Sequence, residues 1–444
     1  MATHQVLEGA IILTLSGIIA KSADFLFRAY YSQILGSEGM GLLSLVFGIH
    51  GIMLTIATAG LGVAVSKVVS EYFEKGNLLA VKKCMKIAIF GVVCLSLSVI
   101  SISMIFAPFI SEKILGDVRV TKSICCLVPS ILFMGISYCI KGYFYATRKV
   151  IIPASSELLE QGIKFIFISI FLKRLAPLGI EFACSAVFLG ITIGEMSSFL
   201  YLLFFYFKDS KKLVSGTEPV GVRKSLLMIS VPTMLSSLIG SILRMQEDIC
   251  IVSSLEKYGM SHTMAISNLG MIDGMIIPML IFPLTLMGSM INLLIPEISR
   301  AFVAKDKKRL KRLVKKSYIY GIIGGVIAML TFAIFSKELT IFFYKTDYFH
   351  KTVIILSFLC PLMFFDSLSH GILNGMGEQF KLLQYNLCDS VLRLGLIYTL
   401  IPYLGIPALI SVIIVSNVFT CSISGKRVFK VLTRTIKSDI IHQI

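Results

Sequence analysis

Long apolar segments alternate with short polar ones along the whole chain. Each apolar run extends over about 20 residues or more, the length that an α-helix needs to cross a bilayer. The runs of the first half lie near residues 6–34, 40–70, 84–108, 121–146, 151–173 and 180–207. Those of the second half lie near residues 225–254, 263–298, 314–336, 351–376, 381–401 and 405–429. The pattern predicts an all-α polytopic membrane protein with about twelve transmembrane helices.

A polar segment with Gly216, Pro219 and Gly221 separates the two groups of apolar runs. Glycine and proline together with charged residues are typical of linkers. We therefore expect two six-helix bundles. The predicted boundaries are residues 1–207 for the N-terminal bundle, 208–224 for a cytoplasmic linker, 225–430 for the C-terminal bundle and 431–444 for a cytoplasmic tail.

The two halves resemble each other in sequence. A shift of 232 residues pairs Pro129 with Pro361 and Glu157 with Asp389, at equivalent places in equivalent spans. Repeats with an even number of helices keep the same orientation in the membrane and are related by an axis along the membrane normal. The sequence thus predicts two pseudo-symmetric bundles with a substrate path between them.

Composition agrees with the membrane prediction, since 56% of the residues are hydrophobic and only 15% are charged. A net charge of +17 is compatible with nucleic-acid binding, but the 42 lysines and arginines fall between the apolar runs instead of forming one face or tail. We therefore expect no nucleic-acid partner. The cations concentrate near residues 67–86, 208–224, 300–316 and 426–437, which by the positive-inside rule predicts a cell-membrane protein with both termini in the cytoplasm.

Several classes of protein are disfavoured by what the sequence lacks. No segment of catalytic size interrupts the apolar runs, and no GxxxxGK[ST] motif occurs, so we expect no use of ATP by this chain. The ten cysteines include no CxxC pair, so we expect neither a zinc site nor a disulfide framework, and no cofactor. Lys21 interrupts the apolar core that a signal peptide would need, so the first run should remain as the first span.

The first span carries a charged stripe of Lys21, Asp24 and Arg28. Spacings of three, four and seven residues place the three side chains on one helical face. A charge at the bilayer centre costs about 2.5–3.5 kcal/mol, so the stripe should face water or partner groups. The surplus cation favours an anionic ligand in a polar cavity. The alternative is a structural clamp in which Asp24 neutralises Lys21 or Arg28.

The seventh span carries a similar pair with exchanged signs. A shift of 220 residues aligns Asp24 with Arg244 and Arg28 with Asp248. If the two helices face each other across the cavity, opposite charges could meet when one mouth closes. The alternative is local pairing within each helix.

Further charges lie in the fifth span, where Glu157, Glu160 and Lys164 share one face, and in its repeat mate, which carries Asp389 and Arg393. Acids at membrane depth can carry protons or coordinate a cation. The alternative is a simple pair between Glu160 and Lys164, four residues apart. The predicted substrate-binding residues are Lys21, Asp24, Arg28, Lys164, Arg244 and Asp248. The predicted coupling or gating residues are Glu157, Glu160, Asp389 and Arg393.

Other polar residues within the spans have a plainer interpretation. The tenth span carries Asp366, His370 and Asn374, each four residues apart, and the sixth carries Glu195. His370 could titrate near neutral pH. We expect His370 and His50 instead to form hydrogen bonds between helices.

Four sequence segments resemble one known family. They are RAYYSQILGSEGMGL from Arg28, LTIATAGLGVAVSKVVSEY at 54–72, IKGYFYATRKVIIPASSELLEQGIKF at 140–165 and LIPEISRAF at 294–302. These segments resemble the stage V sporulation protein B family, which belongs to the multidrug/oligosaccharidyl-lipid/polysaccharide exporter superfamily. The similarity touches both halves and most of the chain.

The resemblance implies a fold of two six-helix bundles forming a V, with a central cavity that opens alternately to each side. It also implies flipping of lipid-linked saccharides, in particular peptidoglycan precursors for the spore cortex. Arg28 matches the family pattern. Lys141 and Lys164 stand where close relatives are expected to carry arginine, which keeps the charge but loses bidentate phosphate recognition. Longer relatives have fourteen spans, so a dedicated groove for a long polyprenyl tail is in doubt here.

We therefore expect a monomeric secondary transporter, not an enzyme, with a lipid-linked saccharide diphosphate as substrate, membrane lipids around it and H⁺ or Na⁺ coupling. Lys21 and Arg28 would hold the diphosphate by charge-assisted hydrogen bonds. Two alternatives share the fold: a cation-coupled multidrug exporter, which should have an acidic cavity, and a flippase for capsular or exopolysaccharide repeat units. A membrane enzyme would need a carboxylate cluster at the membrane face or a larger outer loop.

Overall fold

The computed structural model describes residues 2–211, 213, 215–216, 221–304 and 306–437. Nearly all of these residues are helical, and none of them lies in a β-strand. The all-α prediction is therefore confirmed. Pro219 of the predicted linker and residues 438–444 of the predicted tail lie outside the described residues.

The helices as far as Lys257, which include the first predicted run of the second half, follow the predicted apolar runs closely. They are α1 (Ala2–Thr58), α2 (Leu61–Glu74), α3 (Leu78–Ile105), α4 (Ala107–Phe109), α5 (Thr121–Leu127), α6 (Ser130–Ala146), α7 (Ile151–Leu175), α8 (Ile180–Ser210) and α9 (Val222–Lys257). A widened helical turn, Ile110–Ile114, and two short 3₁₀ turns, Val118–Val120 and Ala176–Leu178, connect some of them.

The second half repeats the same alternation of long and short helices. They are α10 (His262–Leu269), α11 (Ile277–Val303), α12 (Lys307–Ile334), α13 (Ser336–Tyr344), α14 (His350–Ser357), α15 (Cys360–Gly375), α16 (Gln379–Leu404) and α17 (Ile406–Lys437). A widened turn, Gly270–Ile276, joins α10 to α11.

Helix α1 is interrupted at Gly36, whose backbone is non-helical with φ 66° and ψ −174°. Only glycine adopts a positive φ without a steric penalty from Cβ. Without this break the 57 residues of α1 would form a rod of about 85 Å, far longer than the bilayer core of about 30 Å. Gly36 therefore separates the first two predicted spans.

By length and apolar composition, eight helices of the described residues could each cross a membrane, or ten if each of two bent pairs forms one crossing. The number of spans predicted from the sequence, about twelve, is larger for two reasons. The 61 residues from Thr14 to Glu74 count here as one candidate, although the sequence places two spans there. Helix α7 is long enough, but its three charges Glu157, Glu160 and Lys164 lower its apolar character. The prediction of a multi-pass membrane protein is confirmed.

Matching elements in the two halves support the predicted duplication. Helices α3 and α12 both have 28 residues, and each begins with a side-chain cap, in which Asn77 or Asp306 accepts a hydrogen bond from a backbone N–H three residues later. Each half also has a bent helix pair. The bend is 41° between Val118–Leu127 and Ser130–Ala146 and 50° between His350–Ser357 and Cys360–Gly375. Pro129 and Pro361, which the sequence shift pairs, lie at these bends.

The chain forms two compact units, Met1–Asp248 and Ile249–Ile444, so most of α9 belongs to the first unit. The sequence instead places the boundary in the linker at 208–224. Residues of α9 contact α1 and Gly60, which follows it. A Cβ atom on Gly60 would lie 2.8 Å from the carbonyl oxygen of Ser230, and the Thr55 and Ser241 hydroxyls share a hydrogen bond of 3.2 Å.

Each unit has its own packed core. In the first unit it lies among α2, α3, α6 and α8, and in the second among α11, α12, α15 and α17. Because lipid is as apolar as these side chains, close packing and small residues hold membrane helices together. Helices α2 and α6 meet in this way, since a Cβ atom on Gly142 would lie 2.6 Å from the carbonyl oxygen of Gly62.

Candidate functional site

The charged stripe of α1 meets α7. The Asp24 Oδ1 atom accepts a hydrogen bond from Lys164 Nζ at 2.9 Å, with 57% of the Asp24 side chain exposed and 12% of the Lys164 side chain exposed. Lys21 is exposed, and the half-buried Arg28 lies close to Tyr31. The structure thus joins Asp24 and Lys164, two predicted site residues from different helices.

Aromatic packing sets the register of α1 against α7. The rings of Phe27 and Phe165 stack with centroids 4.5 Å apart, and Tyr30 contacts Phe165 edge-on at 5.6 Å. Because Phe165 follows Lys164 directly, this stacking brings the ammonium group of Lys164 to Asp24.

A small cavity of about 230 Å³ lies among α1, α6, α7 and α8, with α1 contributing Ala20. Glu157 Oε1 accepts a hydrogen bond from Lys141 Nζ at 3.3 Å, and the acids Glu160 and Glu195 line the same cavity. The cavity therefore has one cation paired with one anion beside two further acids.

A larger cavity of about 920 Å³ adjoins the small one, because Tyr138, Lys141 and Glu157 line both. It extends along α2 to Lys67 and Glu71. Much of the remaining polar lining consists of hydroxyl groups. They belong to Thr55, Thr58, Ser66, Ser70, Tyr138, Tyr145, Thr233 and Ser237.

Glycine contacts explain how these side chains come together. A Cβ atom on Gly62 would lie 3.2 Å from the Cβ and the carbonyl oxygen of Tyr138, so α2 and α6 approach closely at this point. The close approach places Lys67 of α2 and Lys141 of α6 along the same cavity. A bulkier residue at Gly62 or Gly142 would force the two helices apart.

The predicted gate residues of α9 lie in the first unit. Arg244 is exposed, and Asp248 packs near the part of α1 that follows Gly36, since its Oδ2 atom would lie 3.4 Å from a Cβ atom on Gly48. Asp24 is engaged by Lys164 in this conformation. Pairing of Asp24 with Arg244 and of Arg28 with Asp248 stays a prediction.

The second unit has a polar cluster around Asp389, the repeat mate of Glu157. Asp389 Oδ1 accepts a hydrogen bond from Ser416 at 2.7 Å and interacts electrostatically with Arg393. Asp366 accepts a hydrogen bond from Ser424 at 2.6 Å, and His370 Nε2 lies 3.7 Å from it on the same helix. Both predicted coupling residues of the second half thus belong to one cluster among α15, α16 and α17.

His50 has a structural environment, as expected from the sequence. Its Nε2 atom shares a hydrogen bond of 3.2 Å with the hydroxyl of Ser130, which links α1 to α6. Within the described parts of the chain, no three His, Cys, Asp or Glu side chains form a group that could hold a metal ion.

Some residues of these cavities were not among the predicted site residues. Glu195 stood out in the sequence only as a single acid in α8, and Lys141 only through the family resemblance. Lys67 and Glu71 were assigned to a cytoplasmic segment, although their four-residue spacing puts them on one helical face. The missing information was the packing of α2 and α8 against α6 and α7.

Comparison with solved structures identifies the fold as that of a membrane transporter. The structure matches the inward-facing conformation of a multidrug resistance MATE family transporter of the MOP superfamily with a TM-score of 0.70, covering 97% of this chain and 99% of that one. Their sequence identity is 15%, so this likeness concerns the fold.

Sequence comparison then gives the family. The chain belongs to the polysaccharide biosynthesis protein family, whose model matches residues 6–302. It is 26% identical to stage V sporulation protein B of Bacillus subtilis (strain 168), covering 98% of this chain and 86% of the relative. It is also 23% identical to lipid II flippase MurJ of the same organism, over 50% of this chain and 43% of that protein. The resemblance seen in the sequence is confirmed.

Proposed function

We propose that this protein is a flippase that carries lipid-linked saccharides across the cytoplasmic membrane by alternating access, without covalent chemistry. The observation that carries the proposal is the pair of adjoining cavities in the first unit, where Lys141 and hydroxyl groups lie inside a bundle of apolar helices. Charged groups at such a position are characteristic of a substrate path.

The cargo that fits best is a saccharide joined to a lipid through a diphosphate. The hydroxyl-lined cavity offers hydrogen-bond donors and acceptors to sugar hydroxyl groups, and the exposed parts of Tyr138 and Tyr145 offer flat faces to sugar rings. Lys21 and Arg28 bind the diphosphate by charge-assisted hydrogen bonds. Similarity to stage V sporulation protein B and to lipid II flippase MurJ supports a peptidoglycan precursor, in particular for the spore cortex.

The remaining predicted residues have supporting roles in this proposal. The Asp24–Lys164 ion pair holds α7 against α1, the helix that carries the charged stripe and lines the small cavity through Ala20. Arg244 and Asp248 contribute to closing the cavity. Both termini lie in the cytoplasm, where the basic segments between the spans are retained, and the protein acts as a monomeric secondary transporter.

Transport without ATP needs an ion gradient or the membrane potential. The two acids Glu160 and Glu195 in the small cavity support coupling to H⁺, because two negative charges close together at membrane depth favour the uptake of a proton by one of them. In the second unit, Asp389 and Arg393 form the corresponding site for coupling or gating by H⁺ or Na⁺.

One observation favours a second candidate, a cation-coupled multidrug exporter. The larger cavity is lined by the three carboxylates Glu71, Glu74 and Glu157 but only two lysines, Lys67 and Lys141. A surplus of acid would suit a cationic drug. A flippase for capsular or exopolysaccharide repeat units differs from the first proposal only in the sugar.

The test reconstitutes the full chain in proteoliposomes with a fluorescent lipid-linked saccharide diphosphate and measures its transfer between leaflets. Arg28→Ala should slow transfer at least tenfold, because one charge-assisted phosphate contact is worth about 1.5–3 kcal/mol, and Arg28→Lys should restore part of it. The control variant is Lys173→Gln, which also removes one cation, from an exposed position at the end of α7. It should transfer the saccharide lipid at the normal rate. Transfer of a cationic drug but not of the saccharide lipid would favour the exporter.

A further inference from the structure

The first turns of α12 contain the densest group of cations in the described chain. Seven of the ten residues from Lys307 to Lys316 are lysine or arginine, and none is acidic. The nearest carboxylates serve neighbouring groups. Asp306 accepts a hydrogen bond from the backbone N–H of Arg309 at 2.9 Å, and Glu297 forms an ion pair with the Arg309 side chain at 2.5 Å.

Four of these cations lie on one face of the helix and are exposed. At 100° per residue, Lys308, Arg312, Lys315 and Lys316 all point within a sector of about 100°. We call these four residues the α12 basic stripe. In the described chain none of the four has a carboxylate within ion-pair distance.

The same face continues without interruption into the apolar part of α12. Ile319, Ile323 and Leu330 follow the α12 basic stripe in the same direction and are 44%, 51% and 47% exposed. The opposite face packs on the protein. Its buried residues are Leu310, Val314, Ala328 and Phe332. The exposed isoleucines mark the surface that faces lipid tails, so the α12 basic stripe stands directly at the end of a lipid-facing surface.

This placement distinguishes the α12 basic stripe from lysines and arginines that only set the orientation of the chain in the membrane. The positive-inside rule requires only that lysines and arginines stay on one side of the membrane, on any face. The four cations instead cover about 12 Å of helix length next to the lipid-facing surface, at the depth of the headgroup layer. Long side chains at this depth reach lipid phosphates while their methylene groups remain on apolar surface.

We propose that the α12 basic stripe binds the phosphate headgroups of anionic phospholipids in the adjacent leaflet. Arg312 can bind a phosphate with two parallel hydrogen bonds, and the three lysines contribute point charges. A cation near an anionic lipid surface strengthens binding by about fivefold. The site shares no residue with the cavities of the first unit and binds structural lipid, not cargo.

The absence of tryptophan from the whole sequence permits a local test. Ile319→Trp places one fluorophore beside the stripe, and Phe335→Trp places another at the other end of α12, where Phe335 is 52% exposed. Each variant is reconstituted without cargo in phosphatidylcholine bilayers, and brominated phosphatidylglycerol or brominated phosphatidylcholine is titrated in. The ratio of the two quenching curves gives the relative binding constant of the anionic lipid at each position.

At Trp introduced for Ile319, phosphatidylglycerol should bind at least fivefold more tightly than phosphatidylcholine, and 0.5 M salt should weaken this preference. Replacing the four stripe cations by glutamine should bring the ratio close to one. Removing three exposed lysines elsewhere in the unit, Lys337→Gln, Lys345→Gln and Lys351→Gln, should leave it unchanged. The Phe335→Trp reporter should show a smaller preference.

Equal quenching by the two lipids at position 319 would overturn the proposal, and so would a preference that survives loss of the four cations. Either result would mean that the stripe is only a solvated, orientation-setting surface. Because cargo is absent, the outcome does not depend on the proposed flippase activity.

Discussion

The Asp24–Lys164 ion pair shows how part of the charged stripe of α1 is neutralised. The stripe alone allows Asp24 to neutralise a neighbour on its own helix. In the structure its carboxylate reaches Lys164 on α7, at 2.9 Å. The two partners differ in environment, because Asp24 is mostly exposed while Lys164 is mostly buried. Loss of Asp24 and loss of Lys164 should therefore differ in their effect on stability.

Asp24→Asn should destabilise the protein more than Lys164→Gln. The first change leaves a mostly buried ammonium group without its ion-pair partner, whereas the second leaves a carboxylate that water can solvate. Combining both changes should reveal a coupling energy of about 1 kcal/mol, as for a partly exposed ion pair. Thermal unfolding in detergent of the unmodified protein, the two single variants and the double variant measures this coupling energy. Equal losses of stability in the two single variants would contradict the argument.

Glu195→Gln should separate proton coupling from cavity structure. The amide keeps the size and hydrogen-bonding ability of the side chain but cannot take up or release a proton. We expect substrate binding to persist and proton movement during transport to be lost, as read by a pH-sensitive dye inside proteoliposomes. Glu195→Ala serves as the control that removes both properties. Undiminished proton movement in Glu195→Gln would exclude Glu195 from coupling.

Part of the candidate site was predictable from residue spacing. Charges three or four apart at membrane depth pointed to α1 and α7, and the structure joins these helices through Asp24 and Lys164. The partners Lys141 and Glu195 were not predictable from periodicity. Each lies on a helix with few other charges, and only contacts between residues distant in sequence show that they face Glu157 and Glu160.

At the scale of the helices, glycines control both a break and a close contact. Gly36 interrupts α1 with a positive φ, and a Cβ atom there would meet nothing within 4 Å. Gly142 is helical but leaves no room for a Cβ atom beside Gly62. Substitutions at the two positions therefore test different effects, namely backbone strain at Gly36 and steric exclusion at Gly142.

Gly36→Ala should destabilise the protein by about 1–3 kcal/mol, because an L residue would have to adopt φ 66° with ψ −174°, a region that essentially only glycine populates. Gly162→Ala in α7 is the matched control. It also has free space around Cβ, but no positive φ, and should stabilise the helix by about 0.5–1 kcal/mol. Melting temperatures that change in the same direction for both variants would contradict this explanation of the break.

Gly142→Ala should push α2 away from α6, at a cost of about 1–3 kcal/mol. Since both helices line the larger cavity, we expect transport to fall more than stability. The comparison again uses Gly162→Ala, which lies away from that contact. Normal transport by a folded Gly142→Ala protein would show that the spacing of α2 and α6 is not critical.

For the whole molecule, the distribution of cations predicts the orientation in the membrane. Lys311 lies in a basic segment that should be cytoplasmic, and Lys345 lies beyond the other end of α12 and should be outside. In a variant without the native cysteines, Lys345→Cys should react with an impermeant maleimide added to intact cells, and Lys311→Cys only after lysis. The reverse pattern would invert the predicted topology.

The amino-acid sequence by itself determined the class of the protein, the positions of the helices and the faces that carry charge. These features follow from local periodicity, because a segment in lipid must satisfy its backbone hydrogen bonds internally and cannot expose several charges to acyl chains. It also revealed the duplication, which the bent helix pairs of the two halves reproduce.

Only the tertiary structure decided which charges meet and where cavities form. The ion pair of Asp24 with Lys164, the shared cavity of Glu160 and Glu195 and the contact of α9 with α1 all join residues distant in sequence. Such contacts depend on the side chains and glycines that set the distance and register between helices. A periodic pattern fixes which face of a helix is polar, but not which other helix covers it.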